Sequence, residues 1–480
     1  MSTICTGGAP ASEDFSNQEY PQERTAHAET SGYQSDGNLS EKEIRLDKKL
    51  AGWKAAYLAS CGGDVPCNMP VQKDENIWNS KLYAFCKALP KGADLHVHGM
   101  ALLPFDELLA FVKSRDELYI GTGEDNRCFL ACREDPAAAA EDELHVQDAL
   151  AQGLIDPEEL RTQWTLPGGD DGKDNVWEWF ETLFHKHQAL SATPALIEAY
   201  YRNAFRYYCE NKVLHLEVRE LFFGSGEEAL ANAKAIRDAY YAVKNEYPDF
   251  IASVVGTGLK YTHLDRALTD RLLDNALLIR RNLKDDFDPD DVHEFLVGID
   301  LVNEEGRSRP LTEFAGRLSK IVAGNPGLHL VLHAGESINA SSDNVIAAYQ
   351  LGPVRIGHGL NLCRFPKILD LVCEAGICLE VCPVSNQVLG YVSDLRNHPA
   401  AGYLKRGVLM CMCSDDPAYQ EHTALTDDFF AAIVCWDLTL TEIRQLCINS
   451  IACSCADDIQ KGKMMQRWEK EWEAFLSFGE

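Results

Sequence analysis

The 480-residue sequence predicts an α/β fold, a (β/α)8 TIM-type barrel with an N-terminal helical extension and an insertion after the first strand. Strand-like and helix-like segments alternate along most of the chain, which is typical of a parallel sheet. His and Asp residues stand at the ends of several strands, where barrel enzymes carry their active sites. The eight predicted strands are Ala93–His98, Leu214–Val218, Ile251–Thr257, Phe295–Leu301, Leu328–His333, Val354–His358, Ile377–Val381 and Val408–Cys413.

The residues before the first strand divide into a tail and a helical extension. Residues 1–40 are rich in Ser, Gly, Glu and Gln and poor in aliphatic side chains, which predicts a disordered tail. Apolar residues recur at helical spacing over Glu41–Leu58 and again over Ile77–Ala88. Residues 41–88 are therefore expected to form helices whose apolar faces need a partner surface, either the barrel or a second chain.

The barrel is expected to span residues 89–480. Helices are predicted between most of its strands, for example at Pro194–Asn211, Glu227–Glu246 and His263–Leu283. The long gap between the first two strands differs, because residues 121–175 show little periodicity and carry acidic and Gly-rich runs. We interpret that segment as an insertion over the mouth of the barrel.

The charge balance limits the class of partner. The chain has 45 Lys and Arg residues against 74 Asp and Glu residues, a formal net charge of −29. Nucleic acids and anionic membranes are bound through basic surfaces, so neither is expected as the main partner. No apolar run approaches the roughly 18 residues that span a bilayer. The composition remains compatible with a neutral nucleoside or another small molecule.

The compartment is predicted from the N-terminus and the cysteines. The first 47 residues contain no basic segment followed by an apolar stretch, so no secretory signal is recognised. The 17 cysteines are then typical of free thiols in a reducing compartment, and their pairs lack the Cys-x2-Cys spacing of structural zinc sites. These observations predict a cytoplasmic protein, with a secreted and processed form as the alternative.

Histidine and aspartate residues are concentrated at strand ends. His96 and His98 end the first strand, and side chains two residues apart on a strand point to the same face. A lone His in such a position is more often structural than a ligand, but several at one end of a barrel favour a metal site. Imidazoles with a carboxylate suit Zn²⁺ and leave one position for water. The other residues so placed are His333 and His358, which end the fifth and sixth strands, and Asp415 and Asp416, which follow the eighth.

Several segments of the chain resemble the adenosine deaminase family of the metal-dependent amidohydrolases. The resemblance covers roughly residue 89 to the C-terminus, and two further stretches, 177–184 and 385–399, resemble the adenosine deaminase-related growth factor branch. The two N-terminal helices look like the segment that this branch uses to form a homodimer. The segments that carry the family resemblance are PKGADLHVH at 90–98, HAGE at 333–336, RIGHG at 355–359, EVCPVSN at 380–386 and SDDP at 414–417.

The resemblance implies a role for each matching residue. Glu336 would donate a proton to the purine ring, and His358 would orient the attacking water and assist its deprotonation. Asp416 would hydrogen-bond the same water and the purine. The residues implied to hold one Zn²⁺ per chain are His96, His98, His333 and Asp415; those implied to contact the ribose are Trp177 and Glu181.

The sequence departs from the family pattern at two positions near the substrate. The branch usually has Asp directly after His-x-His, where it contacts the sugar, and this chain has Gly99. Asn303 stands where the family usually offers the backbone N–H of a Gly to the purine, so we expect its side chain to enter the base pocket. From the first departure, we expect Gly99→Asp to tighten the binding of adenosine.

The resemblance and the chemistry together predict zinc-dependent deamination of adenosine or 2′-deoxyadenosine. Displacing an amine from an aromatic carbon needs a strong nucleophile, which Zn²⁺ provides by lowering the pKa of water, and an acid beside the ring nitrogen. The alternatives are the same chemistry on another aminopurine or modified nucleoside, a hydrolase of another amidohydrolase subgroup, and a growth-factor-like signalling protein without catalysis. The presence of Glu336 disfavours the last of these, because a binding protein has no need of that acid.

Overall fold

Eight parallel strands pair in the order in which they occur along the chain. The structure is a computed structural model that describes residues 39–63, 65, 75–123, 127–140, 142–166, 176–284, 294–337 and 343–480. The sheet closes where Val97 of the first strand pairs in parallel with Asp415, beyond the last strand. His98 N donates to Asp415 O at 3.0 Å, and Asp415 N donates to His96 O at 2.8 Å. The predicted (β/α)8 barrel is therefore confirmed.

The N-terminal helices lie against the barrel of the same chain. Ser40 and Glu43 form a capping box that satisfies the first free N–H groups of the first helix. Leu50 on this helix is fully buried, and the ring of Tyr57 lies 5.1 Å from that of Phe430. The barrel thus supplies a partner surface for the apolar face of this helix. The elements up to the first strand are α1 (Glu41–Ser60), α2 (Glu75–Trp78), α3 (Lys81–Ala88) and β1 (Gly92–His98).

The insertion after β1 contains regular structure that the sequence pattern did not reveal. A small antiparallel sheet occupies part of it, with strands of two to five residues that are too short for periodicity to detect. Its last helix, Val176–Lys186, packs in an apolar cluster with Ala101, Leu389 and Tyr419, which follow barrel strands. The elements are α4 (Phe105–Lys113), β2 (Leu118–Thr122), β3 (Cys128–Cys132), β4 (Leu144–His145), α5 (Val146–Ala151), α6 (Pro157–Trp164) and α7 (Val176–Lys186).

The remaining chain builds the barrel from strands and surrounding helices. All seven further strands were predicted, and none of their ends shifts by more than two residues. The first half comprises α8 (Pro194–Glu210), β5 (Val213–Glu220), α9 (Gly226–Lys244), β6 (Ile251–Leu259), α10 (Arg266–Leu283), β7 (Leu296–Val302), α11 (Ala315–Gly324), β8 (His329–Ala334) and α12 (Asn344–Leu351). The second half comprises β9 (Arg355–His358), α13 (Pro366–Glu374), β10 (Cys378–Val381), α14 (Pro383–Val388), α15 (Pro399–Lys405), β11 (Met410–Met412), α16 (Pro417–Gln420), α17 (Thr426–Trp436), α18 (Leu440–Ala452) and α19 (Asp458–Phe475).

Two predictions remain, the disordered N-terminal tail and the lack of a membrane-spanning segment. The predicted disordered tail, 1–40, lies outside the described residues except for its last two positions. Among the helices that the structure describes, none is long and apolar enough to cross a membrane.

Candidate active site

The predicted site residues meet at the carboxyl ends of β1, β8, β9 and β11. The ring centroid of His96 lies 4.4 Å from that of His333 and 4.8 Å from that of His358. Asp415 lies among them, with Oδ1 3.4 Å from His96 Nε2 and 3.3 Å from His98 Nε2. The parallel barrel produces this meeting, because all its strands end on the same side.

The cluster has the donor atoms of a metal centre. The ligand atoms of His96, His333, His358 and Asp415 all lie within 4.8 Å of one another, and His98 forms a second such group with Asp415 and Asp416. His96 Nε2 is buried and has no hydrogen-bond partner among the described residues. A buried nitrogen without a partner is costly, so this atom fits a metal ligand. Three of the four predicted ligands thus lie in the four-residue group, His358 is its fourth member, and His98 lies in the second group.

Carboxylates behind the cluster fix two of the imidazoles. His96 Nδ1 lies 2.9 Å from Oε2 of Glu380, and His333 Nδ1 lies 2.6 Å from Oδ2 of Asp300. Each Nδ1–H donates to its carboxylate, so each Nε2 presents a lone pair to the centre, as in metal sites where a carboxylate orients the ligand. Burial lowers the pKa of His333 to about 3, even though Asp300 acts in the opposite direction. His333 is therefore neutral and able to bind a cation at neutral pH.

Arg219 joins the two supporting carboxylates inside the barrel. It donates to Asp300 Oδ2 from Nε at 2.8 Å, and it also donates to Glu380. All three side chains are fully buried. Burial would raise the pKa of Glu380, but Arg219 and Arg355 hold it far below its usual range. The guanidinium therefore keeps both carboxylates charged in a position where water is excluded.

Replacing Arg219 with Met is expected to weaken both the fold and the metal site. The variant leaves two buried carboxylates short of their counter-charge, a change that typically costs about 3–5 kcal/mol. Loss of groups that orient a ligand typically lowers metal affinity about 10–100-fold. Denaturant unfolding and competition with a chelator would measure the two effects.

Arg406→Met is the matched control for that variant. Arg406 pairs with Asp370 at the surface, where the two side chains are 49% and 57% exposed. Exposed pairs contribute about 0–1 kcal/mol, so stability and metal affinity should stay near the parent values. Equal effects of the two substitutions would contradict the supporting role of Arg219.

A chain of hydrogen bonds determines which nitrogen of His358 carries the proton. Ala400 N donates to His398 Nδ1 at 3.1 Å, so the proton of His398 is on Nε2, which donates to Asn386 Oδ1 at 3.1 Å. The amide of Asn386 is thereby oriented, and its Nδ2 donates to His358 Nδ1 at 3.2 Å. Burial holds the pKa of His358 well below its usual range, so the ring is neutral. His358 therefore presents Nε2–H, a donor, to the centre, unlike His96 and His333.

Glu336 is held beside this donor in an acidic and water-poor position. Its Oε1 lies 3.6 Å from His358 Nε2. Burial and the nearby Asp415 raise the pKa of Glu336 well above its usual range. The loop that carries it is fixed by Glu305, which accepts from Gly335 N at 2.9 Å and Ser337 N at 3.2 Å. Glu336 is thus a buried acid whose proton remains available above the usual range for Glu.

Asp415 and Asp416 are adjacent but have opposite environments. Burial would raise the pKa of Asp415, but His96 and His98 hold it well below the usual value. Burial and the charge of Asp415 raise the pKa of Asp416 well above its usual value. Oδ1 of Asp416 is buried without a hydrogen-bond partner among the described residues. The pair therefore combines a charged ligand-type carboxylate with a carboxyl group that can exchange a proton.

The residues implied to contact the sugar lie on α7 of the insertion. Trp177 Nε1 and Glu181 Oε1 are buried polar atoms without hydrogen-bond partners among the described residues. The ring of Trp177 lies 6.2 Å from that of Tyr391. These two unsatisfied atoms are available to a ligand, because buried polar groups otherwise find partners within the protein.

Asn303 uses its side chain differently from our expectation. Its φ is +105°, in a region that glycine adopts more readily than other residues, and Asn is among the residues that tolerate positive φ. Its Oδ1 accepts a hydrogen bond from Lys260 N at 2.9 Å. The side chain is thus tied to the end of β6, rather than free to enter the base pocket.

Position 99 also differs from the expectation drawn from the sequence. A Cβ built on Gly99 would overlap the carboxylate of Glu220 and the hydroxyl of Tyr201. Gly99→Asp would therefore place its side chain against an existing carboxylate. An Asp at position 99 would have to displace the Glu220 carboxylate, so the structure does not favour the expected gain in adenosine binding for that single substitution.

Six residues of the site were missed by sequence reasoning. Four of them lie in barrel strands and two lie in the loops that follow strands, and the available signal for the first four was a charged residue within a strand. Three of them are fully buried inside the barrel, and a fourth, Lys260, has its Nζ 3.4 Å from His333 O. The missed residues are Arg219, Glu220, Lys260, Asp300, Glu305 and Glu380.

Comparisons with known proteins agree with this geometry. The family model described as Adenosine deaminase matches residues 253–471. An adenosine deaminase from Phlebotomus duboscqi is 30% identical over 468 residues, which cover 92% of this chain and 88% of that protein. Adenosine deaminase 2-A from Danio rerio is 29% identical over 471 residues, covering 92% and 91% of the two chains.

A solved structure supports the fold at lower identity. The apo structure of the N6-methyl-AMP deaminase from Arabidopsis thaliana superimposes with a TM-score of 0.58 at 17% identity. The match covers 81% of this chain and 98% of that one. At this identity the likeness concerns the barrel and its surrounding helices.

Proposed function

This chain belongs to the adenosine deaminase family, and on that premise we propose that it converts adenosine and 2′-deoxyadenosine to inosine and 2′-deoxyinosine with release of ammonia. The protein is a deaminase of the hydrolase class, with relatives in the adenosine deaminase 2 branch. The observation that carries the proposal is the position of Glu336, a buried acid of raised pKa beside a cluster of metal-type donors.

Zn²⁺ is the metal that we propose for the cluster. Neutral imidazoles and one carboxylate form a borderline donor set of the kind that zinc prefers. The bare Nε2 of His96 and the carboxylate-oriented ring of His333 fit such an ion, and with His98 and Asp415 they make up the proposed ligands. When bound, the ion would activate water as a nucleophile at neutral pH.

The residues of the chain would then handle the protons of the reaction. Glu336 donates its proton to the ring nitrogen next to the carbon under attack, so that the ring can accept electrons. His358 presents Nε2–H to the attacking oxygen and holds its position. Asp416, whose pKa is raised, hydrogen-bonds the same oxygen and the purine. In its charged form Asp416 can accept the proton that the attacking water gives up, and its raised pKa makes it a stronger acceptor than an ordinary Asp.

A related substrate is the second candidate. Gly99 and Asn303 replace the residues that the family usually places beside the sugar and the base, and the side chain of Asn303 is held by Lys260. These differences affect recognition and leave the donors and acids of the centre unchanged. Another aminopurine or a modified nucleoside would undergo the same reaction.

Ammonia release from a panel of substrates tests the proposed function. The panel contains adenosine, 2′-deoxyadenosine, adenine, AMP and N6-methylated nucleosides, with bound metal determined on the same sample. We expect the highest kcat/KM for adenosine or 2′-deoxyadenosine, about one zinc per chain by analogy with mononuclear hydrolytic sites, and loss of activity after chelation. Preference for AMP or adenine would refute the proposed substrate, and full activity of metal-free protein would refute the zinc.

Assembly and location are further proposals. We infer a homodimer from the resemblance of the N-terminal helices to the dimerisation segment of the branch, and a cytoplasmic location from the free thiols of the described residues. Ile44 on α1 and Trp78 on α2 are 42% and 50% exposed and offer apolar surface for a second chain. Sedimentation of the full chain and cell fractionation test the two statements; a monomer at micromolar concentration would contradict the first.

A further inference from the structure

Glu220 fills the space of a side chain at position 99. His98 of β1 pairs in register with Arg219 of β5, so Gly99 and Glu220 are the next residues towards the mouth of the barrel. A Cβ on Gly99 would overlap Oε2 of Glu220. His98 itself is 16% exposed, so this part of the mouth is open to solvent. The Glu220 carboxylate therefore lies one residue beyond a proposed metal ligand, at the rim of the site.

The surroundings of Glu220 hold its carboxylate in place but leave it without a cation. The hydroxyl of Tyr201, on α8, donates to Oε2, and Leu221 N donates to Oε1 at 3.2 Å. Thr257 Oγ1 donates to the backbone O of Glu220 at 2.9 Å. No Lys or Arg of the described segments pairs with the carboxylate, and Glu220 stays partly exposed while Tyr201 is buried. The carboxylate keeps lone pairs that a ligand can use.

We propose that Glu220 recognises the sugar of the substrate by accepting a hydrogen bond from a hydroxyl group. Gly99 makes room for the carboxylate, and Tyr201 fixes its orientation. The inference rests on the proposed function, because a purine held at the metal cluster directs its sugar towards the rim. A carboxylate is an acceptor, so a sugar hydroxyl is the group that it can bind directly. Trp177 and Glu181 on α7 offer separate polar atoms to the substrate.

Substitution of Glu220 by Gln tests the recognition. The change keeps the shape and removes the charge. Burial raises the pKa of Glu220 to about 7, so the comparison is made above that pH, where the parent carries the carboxylate. Hydrogen bonds to charged groups are worth about 10- to 100-fold in binding. We expect kcat/KM for adenosine to fall by that factor, mainly through KM. The 2′-, 3′- and 5′-deoxy analogues are compared in the same way. For the analogue that lacks the recognised hydroxyl, Glu220→Gln should lower kcat/KM much less than it does for adenosine. The same loss on all four nucleosides would overturn the proposal, because it would indicate a structural role alone.

Glu227→Gln is the matched control. Glu227 is an exposed carboxylate in the first turn of α9, seven residues further along the chain. Its replacement should leave kcat/KM unchanged for all four nucleosides. Melting temperatures of the variants compare their folding, and Tyr201→Phe, which frees the Glu220 carboxylate without removing it, should produce a smaller loss in the same direction.

Moving the carboxylate from one strand to the other gives a stricter test. Gly99→Asp alone places a second carboxylate against Glu220, so we expect lower kcat/KM for adenosine. In the Glu220→Ala background the space is empty, and Gly99→Asp should recover part of the preference for adenosine over the deoxy analogue. If the double variant shows no more preference than Glu220→Ala, or if Gly99→Asp alone improves adenosine, the proposal is wrong.

Product binding separates this inference from the proposed function. Calorimetry compares inosine, which carries the sugar, with hypoxanthine, which does not, in the metal-loaded protein. Glu220→Gln should weaken inosine about 10- to 100-fold and leave hypoxanthine unchanged. Equal binding of the two molecules by the parent would overturn the inference. Failure of the parent to deaminate any nucleoside would refute the proposed function, and inosine binding would then decide the role of Glu220 by itself.

Discussion

Replacing Glu336 with Gln is expected to leave the metal bound and to lower kcat by about 10²–10⁴-fold, the usual worth of general acid catalysis. Gln has nearly the same shape as Glu but cannot deliver a proton to the ring. Glu336 contributes no atom to the group of donors that fits a cation, so metal content should not change. Metal analysis and steady-state kinetics on one preparation would show both results.

The pH profile adds a second test of Glu336. Burial raises the pKa of this carboxyl, so the acid form persists to higher pH than that of an ordinary Glu. A reaction that needs the acid form is fast below the raised pKa and slows as the pH rises through it. The parent should show this decrease in kcat as the pH rises through the raised pKa, and the residual activity of Glu336→Gln should lack it.

Glu313→Gln is the control for that variant. Glu313 is 43% exposed and pairs with Arg309 at the surface, 3.7 Å away. Its replacement should leave kcat, metal content and pH profile unchanged. Activity of Glu336→Gln within a few-fold of the parent would rule out the assigned role of Glu336 as the acid.

The sequence could predict the barrel because each strand is a local pattern. β1 and β9 contain apolar residues and end at His98 and His358, and the alternation with helices implies a parallel sheet. The meeting of these ends follows from the topology alone, since parallel strands share one edge. The strand-end histidines, Asp415 and Asp416 could therefore be predicted from the sequence.

The supporting residues could not be predicted because their partners are distant in sequence. Glu380 contacts His96, which precedes it by 284 residues, and Arg219 reaches Glu380 across 161 residues. Position 99 also has a partner that is distant in sequence. The sequence shows a missing carboxylate at Gly99, and only the register of β1 with β5 shows that Glu220 supplies one there.

Two histidines compete for the last place around the metal, and substitution by Ala should separate them. Nε2 of His98 lies 3.3 Å from Asp415 Oδ1, whereas Nε2 of His358 lies 4.0 Å from Asp415 Oδ2. The chain from Ala400 through His398 and Asn386 leaves the proton of His358 on Nε2, and a protonated nitrogen cannot bind a cation. His98 is therefore the expected ligand, and His358 the expected donor to water.

His98→Ala should therefore lose most of its metal, and with it the deaminase activity, whereas His358→Ala should keep its metal and lose most of its turnover. Loss of one hydrogen-bond donor that is positioned on a reacting oxygen typically costs about 10²–10³-fold in kcat, which sets the expected loss for His358→Ala. His145→Ala, in the small sheet of the insertion, is the control and should retain both metal and activity. Metal analysis after desalting, followed by kinetics with added Zn²⁺, gives the readout. Full metal content in His98→Ala together with metal loss in His358→Ala would exchange the two roles and refute the assignment of the proton to His358 Nε2.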